Sequence, residues 1–459
     1  MASSRTQQTD PLSAIRARVA EVLADAGVGA QSTLMLGFSG GLDSTVLLHV
    51  LAGLRQQMPF VLSAHHVHHG ASPNADAWAE ACTRQCAALD VPLAVSRITV
   101  EPRAGEGWEA AARRLRHAAW WGLPVQWWVT AHHRDDQAET VLFRLFRGAG
   151  VHGAAAMRAV DRRAGSPGRL RPLLGVSRAA LAAAAEAAGL RWVEDESNAD
   201  QRFGRNFLRH GVMPAVRARF PAVDDTLARA AGHFAEAAGL LDELAAQDAV
   251  RCGGSAWSRP GLQGLSDARL ANLVRWRLRA MDLPMPDEAR LGESLRQLRS
   301  CALSRPLCLP MGASVLHAYR DTAWLTPALP ALPTAPLAWQ PGAELAWGEG
   351  VVRCRPVLGA GLDVARLTAA STCEIVARWA GCRVRLPGRP RKDVRRLGQE
   401  AGWAPVERDR LPILRVDGEV AWMAGVGVAA AFACPPGADG VALTWVRPAV
   451  YSSAGATEL

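Results

Sequence analysis

Lysine is almost absent from this chain of 459 residues, because Lys392 is the only lysine among 52 basic side chains. Catalysis through a lysine Schiff base needs a lysine amine in the active site, so this chemistry is effectively excluded. A Walker-type phosphate loop, Gly-x-x-x-x-Gly-Lys-Ser/Thr, is excluded as well, since no glycine-rich segment carries the required lysine. Arginines, backbone dipoles or a metal ion must therefore neutralise any phosphate that the protein binds.

Paired cysteines and long apolar runs are also lacking. The nine cysteines are scattered and include no Cys-x-x-Cys pair, which argues against a disulfide framework, a zinc ribbon or an iron–sulfur site. No stretch approaches the roughly 18 apolar residues of a membrane helix, and residues 1–10 are polar, unlike the apolar core of a signal peptide. These absences predict a cytoplasmic protein with no membrane partner.

What the chain does contain is ample apolar material and positive charge. Its length and its 49% of hydrophobic residues predict a multidomain protein of about three domains. The net charge of +9 suits a polyanionic partner. An arginine-rich genome composition would give the same bias, so the location of the charge is more informative than its total.

The most informative segment is SGGLDS at residues 39–44, between an apolar run at 33–38 and a helical pattern at 43–54. Small residues between a buried strand and a helix N-terminus can approach an anion closely, and glycine removes the Cβ that would block the approach. The segment therefore predicts a phosphate-binding loop; an ordinary helix cap by Asp43 or Ser44 is the alternative. The predicted nucleotide-binding residues are Ser39, Gly40, Gly41, Leu42, Asp43 and Ser44.

The first 150 residues alternate between strand and helix patterns, which predicts an α/β fold with a parallel sheet covered on both faces. Predicted strands at 33–38, 60–66, 93–100 and 126–131 are separated by predicted helices at 43–54, 74–89 and 108–121. Ligands of such sheets bind beyond the carboxyl ends of the strands, and the polar clusters of this region all fall there.

The rest of the chain changes character twice. A helix at 178–189 and a basic segment close a first domain at 1–218, and alanine- and leucine-rich helical patterns fill a middle domain at 219–330. A proline-rich linker then leads into short strand-like segments. We expect a small α+β domain at 331–459, including the linker.

The richest polar cluster follows the fourth predicted strand and precedes a helix predicted at 141–147. Asp136 and Glu139 are three residues apart, so they project from one side of a helical turn, where paired carboxylates can hold Mg²⁺ or a substrate ammonium. Helix capping by Asp135 is a competing explanation for one acid. His132 and His133 are polar partners for the pair.

Histidines end the second predicted strand. Alternation along a strand puts His65 on one face and His66 and His68 on the other. Without neighbouring cysteines or carboxylates, these histidines and His69 suit a wall of the nucleotide pocket better than a metal site.

Two arginine-rich segments have open interpretations. One stripe of a predicted helix carries Glu109, Arg113 and Arg116. Glu109 and Arg113 can form an ion pair in solvent, or the arginines can approach the triphosphate or RNA. Residues 201–220 carry five arginines, no acid and interleaved aromatics. This segment fits a phosphate-contacting surface with stacking platforms and, equally, a solvated basic helix.

The SGGLDS loop resembles the PP-loop of ATP pyrophosphatases, which cut ATP between its α and β phosphates. SGGLDS, HVHHG, EAAARRLRH, TAHHRDDQAET and WVEDESNADQRFGRNFLRHGVMP stand in the order found in the tRNA(Ile)-lysidine synthase family. Residues 383–425 resemble the terminal tRNA-binding module of that family. The resemblance covers residues 34–214 and the last 80 or so residues, while the middle helices are assigned by position.

The resemblance implies a reaction with ATP and Mg²⁺. The wobble cytidine of an isoleucine tRNA with a CAU anticodon is adenylated on its C2 oxygen, and the ε-amino group of free lysine then displaces AMP. It assigns catalysis to Asp43, Arg113, His132, Asp136, Glu139 and Arg205, and Mg²⁺ to Asp43 and Asp136. It assigns tRNA contacts to Arg202, Arg209, Arg389, Arg391, Lys392, Arg395, Arg396 and Arg408.

The chain departs from the family pattern at Ala71, Ser72 and His117, where a leucine, an arginine and a tyrosine are usual. The rival interpretations are a tRNA thiolase, an ammonia-using ligase and a tRNA-binding protein with a dead nucleotide site. The thiolase is disfavoured because Cys-x-x-Cys pairs are lacking, and the ammonia-using ligase because a glutaminase portion is lacking. The complete SGGLDS argues against a dead nucleotide site. No stable protein partner is implied, and a homodimer is compatible with the sequence.

Overall fold

The computed structural model describes residues 10–70, 72–101, 103, 107, 111, 114–116, 118–119, 123–162, 166–194 and 204–451. The chain divides into two compact units, residues 1–239 and 240–459. The domain boundaries at 218 and 330 stay predictions. None of the helices in these ranges is long and apolar enough to cross a membrane.

A six-stranded sheet organises the first unit, in the order β3-β2-β1-β4-β6-β5. All neighbouring strands run parallel except β5, which pairs antiparallel with β6. The predicted α/β fold is confirmed. The strands are β1 (Thr33–Gly37), β2 (Val61–His68), β3 (Leu93–Arg97), β4 (Trp127–Val129), β5 (Val160–Asp161) and β6 (Gly168–Leu170).

Helices cover this sheet and supply its core. The central strand β1 is buried through Leu34, Met35 and Leu36, as expected for a parallel strand covered on both faces. The helices are α1 (Ser13–Asp25), α2 (Leu42–Leu54), α3 (Ala75–Ala88), α4 (Arg134–Leu145), α5 (Val151–Ala154), α6 (Arg178–Ala187), α7 (Gly204–Phe207) and α8 (Met213–Arg219). The helix predicted at 108–121 lies largely outside the described residues.

Helix α9 (Val223–Arg251) contains the boundary between the two units. The second unit continues with α10 (Arg259–Gln263), α11 (Asp267–Ala280) and α12 (Glu288–Ser300), as the helical pattern predicted. A four-stranded sheet, β7-β10-β9-β8, was not predicted. Its strands are β7 (Trp257–Ser258), β8 (Leu307–Pro310), β9 (Ser314–Tyr319) and β10 (Thr322–Pro327). The reason is that β9 and β10 are buried at nearly every position and show no two-residue alternation.

The C-terminal part is built from strands and three α-helices, in agreement with the α+β fold expected there. It contains a five-stranded sheet, a four-stranded sheet and a two-stranded ribbon. The strands are β11 (Leu337–Ala338), β12 (Leu345–Trp347), β13 (Gly350–Leu358), β14 (Leu362–Asp363), β15 (Cys373–Val376), β16 (Arg383–Val384), β17 (Lys392–Asp393), β18 (Ile413–Val416), β19 (Glu419–Met423), β20 (Gly427–Val428) and β21 (Asp439–Val446). The helices are α13 (Val364–Ala369), α14 (Val394–Glu400) and α15 (Pro405–Arg408).

Candidate active site

The glycine loop lies at the carboxyl end of β1, between that strand and α2. The loop is braced by its own hydroxyls: Oγ of Ser39 lies 3.1 Å from Oγ of Ser44, which also donates to the carbonyl of Gly41 at 3.0 Å. The carbonyl of Gly40 accepts from Thr45 Oγ1 and from the backbone of Val193. These bonds fix the loop directly before the N-terminus of α2, where an anion is favoured.

The two glycines of the loop are not equivalent. Gly40 has φ +81°, and a Cβ there would lie 2.8 Å from the sulfur of Cys82. Burial raises the pKa of the Cys82 thiol to about 12, so this sulfur is an uncharged packing group. Gly41 has an ordinary extended conformation with φ −72°. The left-handed conformation therefore requires glycine at position 40 alone.

His133, rather than Asp135, caps the helix that carries the acid pair. Helix α4 begins at Arg134, seven residues before the predicted start, and His133 and Asp136 form a reciprocal capping box. The backbone N–H of Asp136 donates to one ring nitrogen of His133, Nδ1, and the other ring nitrogen is Nε2. That Nε2 lies 3.7 Å from Asp43 and 3.4 Å from Asp136. The ring therefore joins the glycine loop to the acid pair.

Asp135 has a different partner. One of its carboxylate oxygens accepts from the backbone N–H of Arg178, at the first residue of α6, at 3.0 Å. Capping of α4 by Asp135, the alternative explanation for one acid of the cluster, is therefore wrong. His132 lies 2.9 Å from Thr130 Oγ1 through its Nδ1.

Two arginines from another segment meet the acid pair. Arg205 contacts Asp136 at 3.0 Å and Glu139 at 3.1 Å. Arg209 contacts Glu139 through two nitrogens, at 2.7 and 2.9 Å, and Asp136 at 2.8 Å. Both acids are buried, with Glu139 only 1% exposed. The predicted common side of Asp136 and Glu139 is confirmed, since single guanidinium groups reach both.

Burial and charge act in opposite directions on the carboxylates. Burial raises the pKa of Asp43 above its ordinary value, and the nearby His133 only partly offsets this. Burial also opposes ionisation of Asp136, but His133, Arg205, His132 and Arg209 outweigh it and hold the pKa of Asp136 below its usual range. The site therefore contains one acid that is harder to ionise beside one that ionises readily.

Arg217, another arginine of the basic segment, is also engaged with acids. Arg217 bonds Asp224 at 2.7 and 2.9 Å and lies 3.6 Å from Asp135. Arg134, the first residue of α4, pairs with Asp225. The sequence pattern missed these pairings because Asp224 and Asp225 both lie outside the segments that were singled out. Arg113, Arg202 and Glu109 lie outside the described residues, so their predicted roles stay predictions.

The histidines of β2 bond the surrounding protein. His65 Nε2 lies 2.8 Å from Ser96 Oγ, and His66 Nδ1 lies 2.9 Å from the carbonyl of Phe38, directly before the loop. His68 lies 3.3 Å from Asp76. Within the ranges that the structure describes, no group of three or more His, Cys, Asp or Glu could hold a metal ion.

Most of the predicted tRNA contacts in the second unit lie on an exposed surface. Arg389, Arg391, Arg395 and Arg396 are exposed, and Lys392 pairs with Glu400 at 2.9 Å. Arg408 differs, because it is only 7% exposed. We call the exposed arginines, together with Lys392, the basic surface of the second unit.

Two further arginines lie beside this basic surface. Arg383 and Arg385 are exposed, while their neighbours Val384 and Leu386 are buried. Alternation of exposed arginines with buried apolar residues is the signal that could have identified both from the sequence.

The parallel sheet, the glycine loop at its central strand and the adjacent carboxylates define a nucleotide-binding enzyme domain of the PP-loop class. Residues 11–216 match the family model described as the PP-loop domain. Residues 258–324 match the TilS substrate binding domain, and residues 373–445 match the TilS substrate C-terminal domain.

Similar proteins extend this assignment to most of the chain. A tRNA(Ile)-lysidine synthase of Aromatoleum aromaticum is 53% identical over 427 residues, which cover 93% of this chain and all of that protein. One of Azoarcus sp. is 48% identical over 93% of this chain and 94% of that protein. The chain belongs to the tRNA(Ile)-lysidine synthase family. Among solved structures, a U34-tRNA thiolase from Methanococcus maripaludis aligns with a TM-score of 0.43 and 15% identity over 49% of this chain and 80% of that one.

Proposed function

We propose that this protein joins free lysine to C2 of the wobble cytidine in the CAU anticodon of tRNA(Ile), in two chemical steps. First the C2 oxygen of the cytidine attacks the α-phosphorus of ATP and diphosphate leaves. Then the ε-amine of lysine attacks C2, the C2–O bond breaks, and AMP departs with that oxygen. The product is lysidine, which pairs with A instead of G.

The observation that carries this proposal is the juxtaposition of the glycine loop with a buried pair of acids. Asp43 in the loop and Asp136 on α4 both lie within 3.7 Å of His133 Nε2. A site for a split nucleotide therefore adjoins carboxylates that can receive an ammonium group. Adenylation of one substrate and attack by an amine need these two elements side by side.

The loop supplies the diphosphate side of the first step. Backbone N–H groups at the start of α2 are the donors for a leaving diphosphate. The hydroxyls of Ser39 and Ser44 join them once they exchange their hydrogen bonds within the loop for the diphosphate. In the absence of a lysine, arginines must add positive charge near the α-phosphorus. We assign this task to Arg113, and to Arg205 once it exchanges a carboxylate for a phosphate.

Mg²⁺ fits Asp43 best among the described residues. Oδ1 of Asp43 is buried and has no hydrogen-bond partner within the described part of the chain, and a carboxylate oxygen is a preferred Mg²⁺ ligand. Asp136 is the weaker candidate, since Oδ1 accepts from two guanidinium groups and Oδ2 from the backbone of His133. A bound Mg²⁺ would neutralise negative charge on the triphosphate.

The acid pair suits the lysine step. An ammonium group favours ionised carboxylates, and the low pKa of Asp136 keeps this acid ionised at neutral pH. A carboxylate of the pair can then take the proton that the ammonium group loses before attack. His132 is a further polar partner in this step, and its charge acts on Asp136.

The basic surface of the second unit is the proposed tRNA contact. Its exposed arginines suit phosphate binding, whereas burial of Arg408 gives that residue little support as an RNA contact. Arg202 is proposed as a further contact. Substrates of this kind place the protein in the cytoplasm, and a homodimer remains compatible with the proposal.

The decisive experiment uses radiolabelled lysine with purified protein, ATP and Mg²⁺. Two tRNAs with the CAU anticodon are compared, the isoleucine tRNA and the initiator methionine tRNA. Label is expected only in the isoleucine tRNA, with one diphosphate released per lysine incorporated. Incorporation into neither tRNA would overturn the substrate assignment, and incorporation into both would overturn the specificity.

A further inference from the structure

Arg209 ties the two buried acids together through three hydrogen bonds. Its Nε donates to Oε1 of Glu139 at 2.7 Å, and one terminal nitrogen donates to Oε2 of Glu139 at 2.9 Å and to Oδ1 of Asp136 at 2.8 Å. A guanidinium group is a rigid planar fork, so bonds of this kind fix the relative position of both carboxylates.

The two acids need such a partner. They lie one helical turn apart, their side chains are only 11% and 1% exposed, and each opposes the charge of the other. Arg205 supplies one bond to each acid, and its side chain is slightly more exposed than that of Arg209, 30% against 24%. Arg209 is therefore the more fixed member of the arginine pair.

The same contacts make Arg209 unlike the exposed arginines of the basic surface of the second unit. Two of its three guanidinium nitrogens already bond carboxylates, whereas Arg395 is exposed. Burial disfavours the charge of Arg209, but its hydrogen bond to Glu139 and the charges of Glu139, Asp136 and Asp43 raise its pKa above the ordinary value. The group therefore stays cationic throughout the working pH range.

We propose that Arg209 is a positioning residue for the lysine-transfer step, which holds Asp136 and Glu139 side by side for the incoming ammonium group instead of contacting a tRNA phosphate. The inference rests on the proposed function and deepens it. Arg205 makes fewer hydrogen bonds to the acids, so it is the arginine that exchanges a bond to a carboxylate for a bond to a phosphate of the nucleotide.

The test compares Arg209→Gln and Arg209→Lys with Arg395→Gln, a predicted RNA contact. Three quantities are measured: tRNA-dependent diphosphate release without lysine, the KM for lysine in lysidine formation, and the salt dependence of tRNA binding. For Arg209→Gln we expect the KM for lysine to rise at least tenfold, by clearly more than diphosphate release falls, with the salt slope close to wild type. Arg209→Lys should be intermediate, since an ammonium cannot bridge both acids as a fork.

Other outcomes would overturn the role. If Arg209→Gln behaves like Arg395→Gln, with weaker tRNA binding, a flatter salt slope and an unchanged KM for lysine, then Arg209 is an RNA contact. If diphosphate release falls as much as lysine transfer, or if nothing changes, Arg209 does not position the acid pair. Should Arg209→Gln fail to fold, Arg209→Lys decides by the same criteria. Failure of the proposed function is recognised separately, because wild-type protein would then form no lysidine.

Discussion

A Cβ atom added to Gly40 would lie 2.8 Å from the sulfur of Cys82. The nucleotide loop and helix α3 thus share a space that accommodates one side chain but not two. Nδ1 of His66 lies 3.6 Å from the same sulfur and 2.9 Å from the carbonyl oxygen of Phe38. The conformation of the loop therefore depends on packing beneath it as well as on its own glycines.

We expect Gly40→Ala to weaken ATP binding strongly and Gly41→Ala to weaken it little. Residue 40 has positive φ, which costs about 1–2 kcal/mol for alanine, or roughly 5- to 30-fold in affinity, before the clash with Cys82 is added. A Cβ on Gly41 would meet nothing closer than 3.5 Å. Calorimetric titration with ATP measures both variants. In the double variant Gly40→Ala/Cys82→Ala, part of the loss should be recovered; no recovery would contradict the shared space.

Asp43→Asn should abolish tRNA-dependent diphosphate release and yet stabilise the free protein at pH 7. Burial holds the pKa of Asp43 above its ordinary value of 3.8, so the ionised carboxylate is penalised in the folded state. That penalty is complete above the folded pKa and disappears as the pH falls through it toward 3.8. The stability difference between variant and wild type should shrink over this window. Thermal melts of both proteins across pH measure it, and a difference that grows toward low pH would contradict the sign.

Charge removal on the basic surface of the second unit should weaken tRNA binding without changing turnover. Each of Arg389, Arg395 and Arg396 that contacts a phosphate contributes roughly 0.7–0.9 to the slope of log affinity against log salt. Replacement by glutamine should therefore raise the KM for tRNA and flatten that slope. Filter binding at several salt concentrations is the measurement.

Arg408→Gln is the matched control for the basic surface. Since Arg408 is buried, its loss should lower the midpoint of thermal unfolding and leave the salt slope unchanged. A slope that flattens to the same extent as in Arg395→Gln would show that Arg408 reaches RNA.

Glu349→Ala should destabilise the second unit more than Glu344→Ala. The Glu349 carboxylate is only 1% exposed and bonds Arg410 at 2.7 Å, with Arg447 at 3.8 Å. Removal of one partner from such a buried pair costs about 3–5 kcal/mol, because a buried charge is left alone. Glu344 pairs with Arg353 in solvent, and such pairs contribute roughly 0–1 kcal/mol. Urea unfolding followed by circular dichroism compares the two variants, and equal losses would contradict the difference.

Local features of the sequence predicted much of the fold and the site. The sequence predicted the glycine loop, the parallel strands and the common face of Asp136 and Glu139. These features depend on residues that are neighbours in the chain, since such residues set strand periodicity, helix periodicity and backbone conformation. The antiparallel sheet at β7–β10 was missed, since strands buried on both faces lose the alternation that distinguishes them. The start of α4 was predicted seven residues too late. The alternative that Asp135 caps this helix fails because Asp135 finds its donor in α6, 43 residues away.

The sequence by itself determined which chemical groups are present and how they are spaced: a loop that lacks lysine, two acids one helical turn apart, and arginines in a basic segment. Only the tertiary structure decided the partners of these groups. Arg209 lies 70 residues from Glu139 in the chain and nonetheless donates to its carboxylate. A buried charge is stabilised by a counter-ion that lies close to it in the folded protein. No local sequence pattern predicts which residue this is, because the free energy of the pair depends on the folded surroundings of both groups.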